Sequence, residues 1–481
     1  MQNIIGNRLA REVFENHTEI DRGLVQRTLE NELRGLNRKI VVLDDDPTGV
    51  QTVHGVSVYT DWSLESIEQG FREERSMFFI LTNSRGMIAS ESEAAHREIA
   101  ENVAQVSKKL DRPFLIVSRG DSTLRGHYPL ETETLKNTVE ERSELRFDGE
   151  VILPFFREGG RFTVDNIHYV QYGDELVPAG ATEFAKDRTF GYASSHLGEW
   201  VEEKSGGRYK AENATYIALE DLRTVNVDRI VEQLLQVKGF NKVIVNAVDY
   251  ADVEVFAIAL VRAINAGKNF LFRTAAAFTK VIGGIADKPL LRREELIRED
   301  RGNGGLVLVG SHVKKTTEQL EELKRCDFIE FIQLDSHLVV EPEKFAAEVD
   351  RVIAEVEKLV AAGKTVTVYT RRERLDLGEG MQEEELKQSV KIADAVTSIV
   401  QRLQVRPNYI VAKGGITSSD IGTKGLQVKR ATVAGQIKPG IPVWITGDES
   451  KFPGIAYIIF PGNVGATTTL RETVELLENK S

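Results

Sequence analysis

The stretch Lys39-Ile40-Val41-Val42-Leu43-Asp44-Asp45-Asp46-Pro47-Thr48-Gly49 contains the pattern that decides the fold. A short apolar run, typical of a buried strand, leads directly into an acidic turn that proline and glycine punctuate. In open α/β sheets, ligands bind outside the carboxyl ends of the strands. The rest of the chain can therefore be searched for the same arrangement, an apolar run followed by a polar loop.

Further apolar runs of strand length occur in both halves of the chain, and helical patterns lie between several of them. Strands that alternate with helices indicate largely parallel sheets covered on both faces. We predict an α/β protein with two α/β domains and a ligand cleft between them. The predicted strands are Lys39–Leu43, Phe78–Thr82, Phe114–Ser118, Val151–Phe155, Lys242–Ala247, Leu306–Gly310, Thr365–Tyr369, Tyr409–Ala412, Val443–Ile445 and Ala456–Phe460, and the predicted helices include Ser90–Leu110, Tyr128–Arg142 and Pro342–Ala361.

The pattern breaks at Lys288–Gly305, which is charged and then rich in glycine, as domain junctions often are. We expect a helical N-terminal extension over residues 1–38, a first domain over residues 39–295 and a second domain over residues 305–481.

Composition narrows the classes of function. Of the 481 residues, 41% are hydrophobic and 28% charged, and the net charge of −12 argues against a nucleic-acid surface. Cys326 is the only cysteine, so an intrachain disulfide or a cysteine-based zinc site is excluded. The first residues lack an apolar signal core, and no run of about 18 apolar residues occurs. We expect a cytoplasmic enzyme that binds neither membrane nor nucleic acid.

Three polar loops follow predicted strands of the first domain. The acidic turn places three carboxylates in a row, whose repulsion a metal, an arginine or substrate hydroxyl groups would relieve. The loops Thr82–Gly86 and Ser118–His127 offer arginines for a carboxylate and hydroxyl groups for a polyol. Each loop alone could be a solvated turn, a helix cap or a surface ion pair, but three together favour one pocket. The candidates are Asp45, Asp46, Thr48, Arg85, Asp121, Ser122, Thr123 and Arg125.

Glycines and small polar residues follow three strands of the second domain. Glycine allows the backbone to approach a phosphate closely, and a helix N-terminus favours an anion. Neither a GxxxxGK[ST] motif nor a GxGxxG motif after a strand occurs, which excludes a P-loop enzyme and a standard dinucleotide binder. The candidate nucleotide residues are Ser311, Gly414, Gly415, Ile416, Thr417, Gly462, Asn463 and Gly465.

This set of motifs resembles the four-carbon acid sugar kinase family, in the same order and from about residue 39 to about residue 475. The matching segments are Asp45–Gly49, Thr82–Arg85, Asp121–Gly126, Gly310–Ser311, Gly414–Thr417 and Pro461–Gly465. The resemblance implies that the first domain binds a sugar acid, the second binds ATP, and a hydroxyl of a tetronate or related hydroxy acid is phosphorylated in carbohydrate catabolism. One departure is Arg119, where many members have lysine, which bears on the identity of the acid.

Phosphoryl transfer needs positioning and charge neutralisation. We expect Arg85 and Arg125 to hold the substrate carboxylate, and either Asp45 or Asp121 to accept the hydroxyl proton. Mg²⁺ would bridge the ATP phosphates, with its protein ligands unassigned. The expected partner is a small sugar acid, and self-association stays open.

Two alternatives remain. Asp44-x-Asp46-x-Thr48 after a strand looks like the nucleophile motif of haloacid-dehalogenase-type phosphatases, and Thr82 mimics their second motif. That hypothesis leaves the second domain unexplained. A non-catalytic sugar-acid sensor on a kinase fold is the other alternative, although nothing resembles an output module.

Overall fold

The computed structural model describes residues 6–14, 19–373, 375, 382–462 and 464–479. The chain forms two compact units, Met1–Asp287 and Lys288–Ser481. Within the described ranges, no helix is long and apolar enough to cross a membrane.

The strands of the first unit belong to two sheets. They are β1 (Arg8–Leu9), β2 (Lys39–Asp44), β3 (Ser57–Tyr59), β4 (Met77–Leu81), β5 (Phe114–Arg119), β6 (Gly149–Leu153), β7 (Arg161–Val164), β8 (Ile167–Tyr172), β9 (Glu175–Pro178), β10 (Thr215–Ile217), β11 (Asn241–Val245) and β12 (Phe270–Thr274).

The main sheet of this unit is parallel and has the order β10-β11-β6-β12-β5-β2-β4-β3. Every residue of β2, β4 and β5 is buried, as expected for strands covered by helices on both faces. The smaller sheet, in the order β1-β9-β8-β7, is antiparallel and lies mostly within the segment that follows β6.

Helices of the first unit connect and cover the strands. They are α1 (Ala10–Phe14), α2 (Arg22–Arg34), α3 (Leu64–Arg72), α4 (Ala89–Leu110), α5 (Leu130–Arg142), α6 (Leu197–Lys204), α7 (Leu219–Arg223), α8 (Val227–Gln236), α9 (Tyr250–Asn265) and α10 (Ala276–Ile282). One core joins apolar side chains of α3, α4 and α5 to those of β2, β4 and β5. The N-terminal extension, predicted as helical, contains α1 and α2 but also the strand β1; α2 packs on α9.

The second unit is again a sheet with helices. Its strands are β13 (Leu306–Val309), β14 (Ile329–Leu334), β15 (Thr365–Thr370), β16 (Tyr409–Lys413), β17 (Arg430–Lys438), β18 (Ile441–Thr446) and β19 (Ala456–Phe460), and its helices are α11 (Arg293–Leu296), α12 (Lys314–Leu323), α13 (Pro342–Ala361), α14 (Gln382–Arg402), α15 (Gly415–Asp420) and α16 (Thr469–Leu477). The order is β17-β18-β19-β16-β13-β15-β14. From β19 to β14 the neighbours are parallel, and β17-β18-β19 form an antiparallel meander.

The predicted α/β class with two domains and largely parallel sheets is confirmed. Sequence reasoning missed β12, whose residues FLFRT carry an arginine inside an otherwise apolar run. Residues of the predicted junction contact the second unit: the Leu291 amide donates to the Gln436 carbonyl at 2.8 Å, and Arg293 Nε donates to the Leu477 carbonyl at 2.8 Å.

A buried ion pair joins β6 to β11 in the first unit. Lys242 and Glu150 are register partners in the sheet, and Lys242 Nζ donates to Glu150 Oε2 at 2.6 Å. The same Nζ lies 3.7 Å from the ring centroids of both Tyr209 and Phe240. Burial lowers the pKa of Lys242, so its charge depends on the carboxylate beside it.

We predict that Glu150→Ala lowers the free energy of unfolding by about 3–5 kcal/mol, because it leaves a buried ammonium unpaired. The double change Glu150→Leu with Lys242→Met should recover most of that loss. Chemical denaturation measures both. Glu101→Ala, which removes the exposed pair with Arg142, is the control and should leave stability unchanged. A Glu150→Ala protein as stable as wild type would contradict the expected dependence.

Candidate functional site

The three polar loops of the first unit lie side by side, because β5, β2 and β4 are neighbours with their carboxyl ends at one edge of the sheet. The Asp45 amide donates to the Arg119 carbonyl at 3.3 Å, and the Thr82 amide donates to the Asp44 carbonyl at 2.9 Å. The Gly120 amide donates to the Thr274 carbonyl at 2.9 Å, which ties in β12. Sheet topology therefore assembles the residues that the sequence separates.

Arg119 neutralises the first two acids of the acidic turn. Its Nη1 donates to Asp44 Oδ1 and to Asp45 Oδ1, both at 3.0 Å, and all three side chains are buried. Burial raises the pKa of Asp44 to about 7, against the opposing effect of Arg119. A Cβ on Gly49 would lie 2.1 Å from Asp44 Oδ1, so only glycine permits the turn to close over this carboxylate.

Arg85 links the acidic turn to the loop after β5. Its Nη2 lies 2.5 Å from Asp46 Oδ2, its Nε 3.7 Å from Asp45 Oδ2, and its Nη1 3.6 Å from Asp121 Oδ1. Burial alone would lower the pKa of Arg85, but the acids, with Asp45 first, raise it well above its ordinary value. The guanidinium thus stays charged and is shared among three carboxylates.

Asp121 is held in its ionised form by Arg85 and by two residues of its own loop. Arg125 Nε donates to Asp121 Oδ2 at 2.7 Å, and the Thr123 hydroxyl donates to the same oxygen. Burial would raise the pKa of Asp121, but Arg85, Arg125 and Thr123 together bring it well below the usual range.

Asp46 is ionised for the same kind of reason. It accepts hydrogen bonds from the Thr48 amide at 2.8 Å and the Thr48 hydroxyl at 2.5 Å. Burial opposes ionisation, but Arg85 and Thr48 lower the pKa of Asp46 below its ordinary value.

Asp45 differs from these two acids. Its side chain is 4% exposed, and Oδ2 has no hydrogen-bond partner within the part of the chain that the structure describes. Burial raises the pKa of Asp45, although Arg85 and Arg119 oppose the rise. Of the two predicted bases, Asp45 therefore has the oxygen that is free to accept a proton, and its pKa is the closer to neutrality.

A second ion pair, missed by sequence reasoning, supports the loop after β5. Arg273 of β12 donates from Nη1 to Ser118 Oγ and Glu131 Oε2, both at 3.3 Å, and from Nη2 to the Arg125 carbonyl at 3.1 Å. A Cβ on Gly120 would lie 2.1 Å from Arg273 Nη1. The only signal in the sequence is the charge inside the apolar run FLFRT.

The segment after β6 buttresses the same loop. His168 Nε2 lies 2.7 Å from the Ser122 carbonyl, and Tyr192 donates its hydroxyl to the Thr123 carbonyl at 2.7 Å. Burial lowers the pKa of His168 to about 4, so its ring is neutral. His127 Nε2 lies 2.9 Å from the Met87 carbonyl. Both rings contact backbone carbonyls, which indicates a structural role.

The predicted nucleotide residues of the second unit also come together, at the carboxyl ends of the neighbouring strands β13, β16 and β19. A Cβ on Gly414 would lie 3.0 Å from Ser311 Cβ and 3.2 Å from Thr417 Oγ1, and one on Gly462 would lie 3.3 Å from Ser311 Oγ. Gly414 has φ 126°, which L side chains rarely adopt. Gly415 begins α15, and Ile416 beside it is 75% exposed.

Gly465, the last glycine of this turn, has φ 83°, and a Cβ there would lie 2.8 Å from Thr469. Asn463 lies outside the described residues.

Lys413, the last residue of β16, supports the turn after β19. Its buried Nζ donates to the Pro461 carbonyl at 2.5 Å and to the Gly462 carbonyl at 3.1 Å. The Thr316 hydroxyl donates to the Gly462 carbonyl at 2.9 Å. Burial, with a contribution from Lys315, lowers the pKa of Lys413 to about 7. In the sequence, the feature that indicates a role for Lys413 is its position directly before the glycine pair.

The phosphatase hypothesis can be compared with this geometry. The described residues contain no group of three or more His, Cys, Asp or Glu side chains arranged to hold a metal ion. Asp44, the nucleophile that the phosphatase hypothesis requires, is enclosed by Gly49 and paired with Arg119. An attacking carboxylate must reach its substrate, and the turn at Gly49 closes over both oxygens of Asp44, which disfavours that hypothesis.

Comparison with known proteins agrees with the division into two units. Residues 40–282 match a family model described as a sugar-binding N-terminal domain, and residues 306–470 match one described as a nucleotide-binding C-terminal domain. The chain is 24% identical over 402 residues to a D-erythronate kinase of Heliobacterium modesticaldum, covering 79% of this chain and 82% of that protein.

Two solved structures share the fold. One, from Haemophilus influenzae, aligns with a TM-score of 0.60 at 17% identity and covers 91% of this chain and 100% of its own. Another, from Salmonella typhimurium LT2, has a TM-score of 0.65 at 14% identity and covers 91% and 98%. With the matched domains spanning most of its length, the chain belongs to the four-carbon acid sugar kinase family.

Proposed function

We propose that this protein is an ATP-dependent kinase that phosphorylates a hydroxyl group of a four-carbon or closely related sugar acid in carbohydrate catabolism. The observation that carries the proposal is the acid–arginine cluster at the strand ends of the unit that matches a sugar-binding domain. The glycine turns in the unit that matches a nucleotide-binding domain are the proposed binding site for the phosphates of ATP.

In this proposal Asp45 is the general base. It accepts the proton of the substrate hydroxyl on Oδ2 as that oxygen attacks the γ-phosphorus of ATP, and ADP leaves. Asp121 is less suited to this role, because both of its oxygens face arginines and its pKa is low. A base whose pKa lies nearer neutrality accepts a proton more readily in the transition state.

The arginines have different parts in this mechanism. Arg85 already contacts three carboxylates, so a substrate carboxylate would have to compete with Asp46 at 2.5 Å. We assign to Arg85 the task of keeping Asp46 and Asp121 ionised and in place. Arg125, which is 26% exposed, is then the better of the two expected partners for the substrate carboxylate. Asp46, Thr48, Ser122 and Thr123 shape the substrate side of the same loops.

ATP binds the second unit in this proposal, with its phosphates against Ser311, Gly414–Thr417 and the turn that contains Gly462 and Gly465. Mg²⁺ would accompany the ATP, held mainly by phosphates and water, and would neutralise charge on the phosphates. Phosphoryl transfer depends mainly on such positioning and on neutralisation of charge.

The direct test is a screen of C4 to C6 sugar acids for ATP-dependent release of ADP in the presence of Mg²⁺. We expect release with at least one tetronate or related hydroxy acid, and none when the acid is omitted. The phosphatase hypothesis would be favoured instead if no acid in the panel caused ADP release and a phosphorylated acid released phosphate without ATP.

We predict that Asp45→Asn lowers kcat by about 10²–10⁴-fold, the usual contribution of a general base, while the Kd for ATP stays unchanged. In the wild-type protein kcat/KM should rise with pH through an apparent pKa above the ordinary aspartate value, because burial raises the pKa of Asp45. That acidic limb should disappear in the variant.

Asp121→Asn is the matched comparison, since it removes a carboxylate of the same cluster. We expect it to act mainly through a higher KM for the acid, because Arg125 loses its partner. A near-normal kcat in Asp45→Asn, together with a large loss of kcat in Asp121→Asn, would contradict this assignment. Asp121 would then be the general base.

We predict that Gly415→Val weakens ATP binding and leaves binding of the sugar acid unchanged. Gly415 is the first residue of α15 and is not among the described glycines with positive φ, so a side chain there does not strain the backbone and the variant should fold. Its Cβ substituents would still obstruct the approach of a phosphate to the backbone. Calorimetric titration with each ligand and a melting curve test this. A folded variant with unchanged ATP affinity would place the nucleotide elsewhere.

A further inference from the structure

Arg161 is held firmly at the start of β7. Its amide donates to the Phe156 carbonyl at 2.9 Å, and its carbonyl accepts from the Phe156 amide at 3.0 Å. The turn between them closes through Gly160, which has φ 72°. Two backbone hydrogen bonds to Phe156 therefore fix the backbone of Arg161. This limits where its side chain can reach.

The guanidinium of Arg161 shares an aromatic ring with that of Arg125. Cζ of Arg125 lies 5.1 Å, and Cζ of Arg161 lies 5.6 Å, from the ring centroid of Phe184. Cation–π contacts of this kind orient arginines without using their hydrogen-bonding groups. Phe184, on the segment that follows β6, thus brings together two positive groups from different loops.

The two arginines differ in how far neighbouring carboxylates neutralise their charge. Arg125 has Asp121 Oδ2 at 2.7 Å from its Nε and Asp187 Oδ2 at 3.8 Å from its Nη1. Arg161 has no acidic side chain within 4 Å among the described residues, and its Nε is buried without a hydrogen-bond partner. Burial lowers the pKa of Arg161 and Arg125 lowers it further, whereas Asp121 raises it. Arginine nevertheless stays charged, so within the described residues this is a fixed positive charge with no anion in direct contact.

The contacts also order the cluster from one end to the other. Arg161 neighbours Arg125 on Phe184, Arg125 contacts Asp121, Asp121 faces Arg85, and Arg85 faces Asp45. The uncompensated charge and the proposed base are therefore at opposite ends of one chain of contacts. A hydroxy acid has the complementary layout, with its anionic group at one end and a hydroxyl to be activated away from it.

We infer that Arg161, together with Arg125, binds the carboxylate of the sugar acid, and that Arg161 determines the requirement for a negatively charged substrate. The inference rests on the proposed function and deepens it. A guanidinium fork can hold a carboxylate through two parallel hydrogen bonds, which gives direction as well as charge. Arg125 alone would serve this role less well, because Asp121 already occupies its Nε.

The test compares Arg161→Gln and Arg161→Lys with the wild-type protein on a four-carbon sugar acid and on its uncharged amide. Hydrogen bonds to charged groups correspond to about tenfold to a hundredfold in affinity. We therefore expect Arg161→Gln to raise KM for the acid, and its calorimetric Kd without ATP, by about that factor. Binding of the amide and of ATP should be unchanged, so the preference for acid over amide collapses. Arg161→Lys should restore part of it.

Arg157→Gln is the matched control, since it removes an arginine from the same turn. Arg157 lies 3.5 Å from Asp249 and stacks on Tyr250, and it should not alter the preference for the acid.

Four outcomes would overturn the inference. They are an unchanged preference in Arg161→Gln, an equal loss for acid and amide, weakened binding of the phosphorylated product alone, and no binding of any acid by the wild-type protein. Failure of the proposed function would give a different result. The wild-type protein would then release no ADP, even if calorimetry showed that Arg161 discriminates the acid from the amide.

Discussion

The arrangement of the first unit depends on the neutralisation of three consecutive aspartates by two arginines. Parallel strands bury the end of β2, so Asp44 and Asp45, beside the partly exposed Asp46, cannot rely on water to separate their charges. Arg119 from the neighbouring strand and Arg85 from the other neighbouring loop supply the compensation. Buried charges persist only when paired and hydrogen-bonded, so the positions of these three loops are mutually constrained.

That neutralisation is uneven, and the unevenness gives the carboxylates different properties. Asp46 and Asp121 accept several hydrogen bonds and keep low pKa values, whereas burial dominates for Asp44 and Asp45 and raises theirs. Pairs of acids whose environments separate their pKa values are the arrangement by which enzymes assign acid–base roles. The unpartnered Oδ2 of Asp45 makes it the group with capacity left for a proton.

The second unit uses a different device. Its glycines bring the backbone of three strand ends close together, and the buried ammonium of Lys413 binds the carbonyls of the turn after β19. Burial lowers the pKa of Lys413 to about 7, because desolvation disfavours its charge. Holding the turn with this ammonium therefore costs free energy. Its use here indicates that the position of Gly462 is tightly specified.

The sequence by itself determined the α/β class, the strand ends at which chemistry collects and the motifs that carry the family resemblance, because apolar periodicity and strand-end loops are local properties. It predicted that Asp45, Asp46, Arg85, Asp121 and Arg125 lie close together, and that Ser311, Gly414 and Gly462 do, and the structure brings each group into contact. Only the tertiary structure decided which acid each arginine contacts, since that depends on the strand order β12-β5-β2-β4. For the same reason the contacts of Arg273 and Arg161 could not be predicted: they arise from neighbours more than 20 residues away, on strands and turns whose pairing no local pattern encodes.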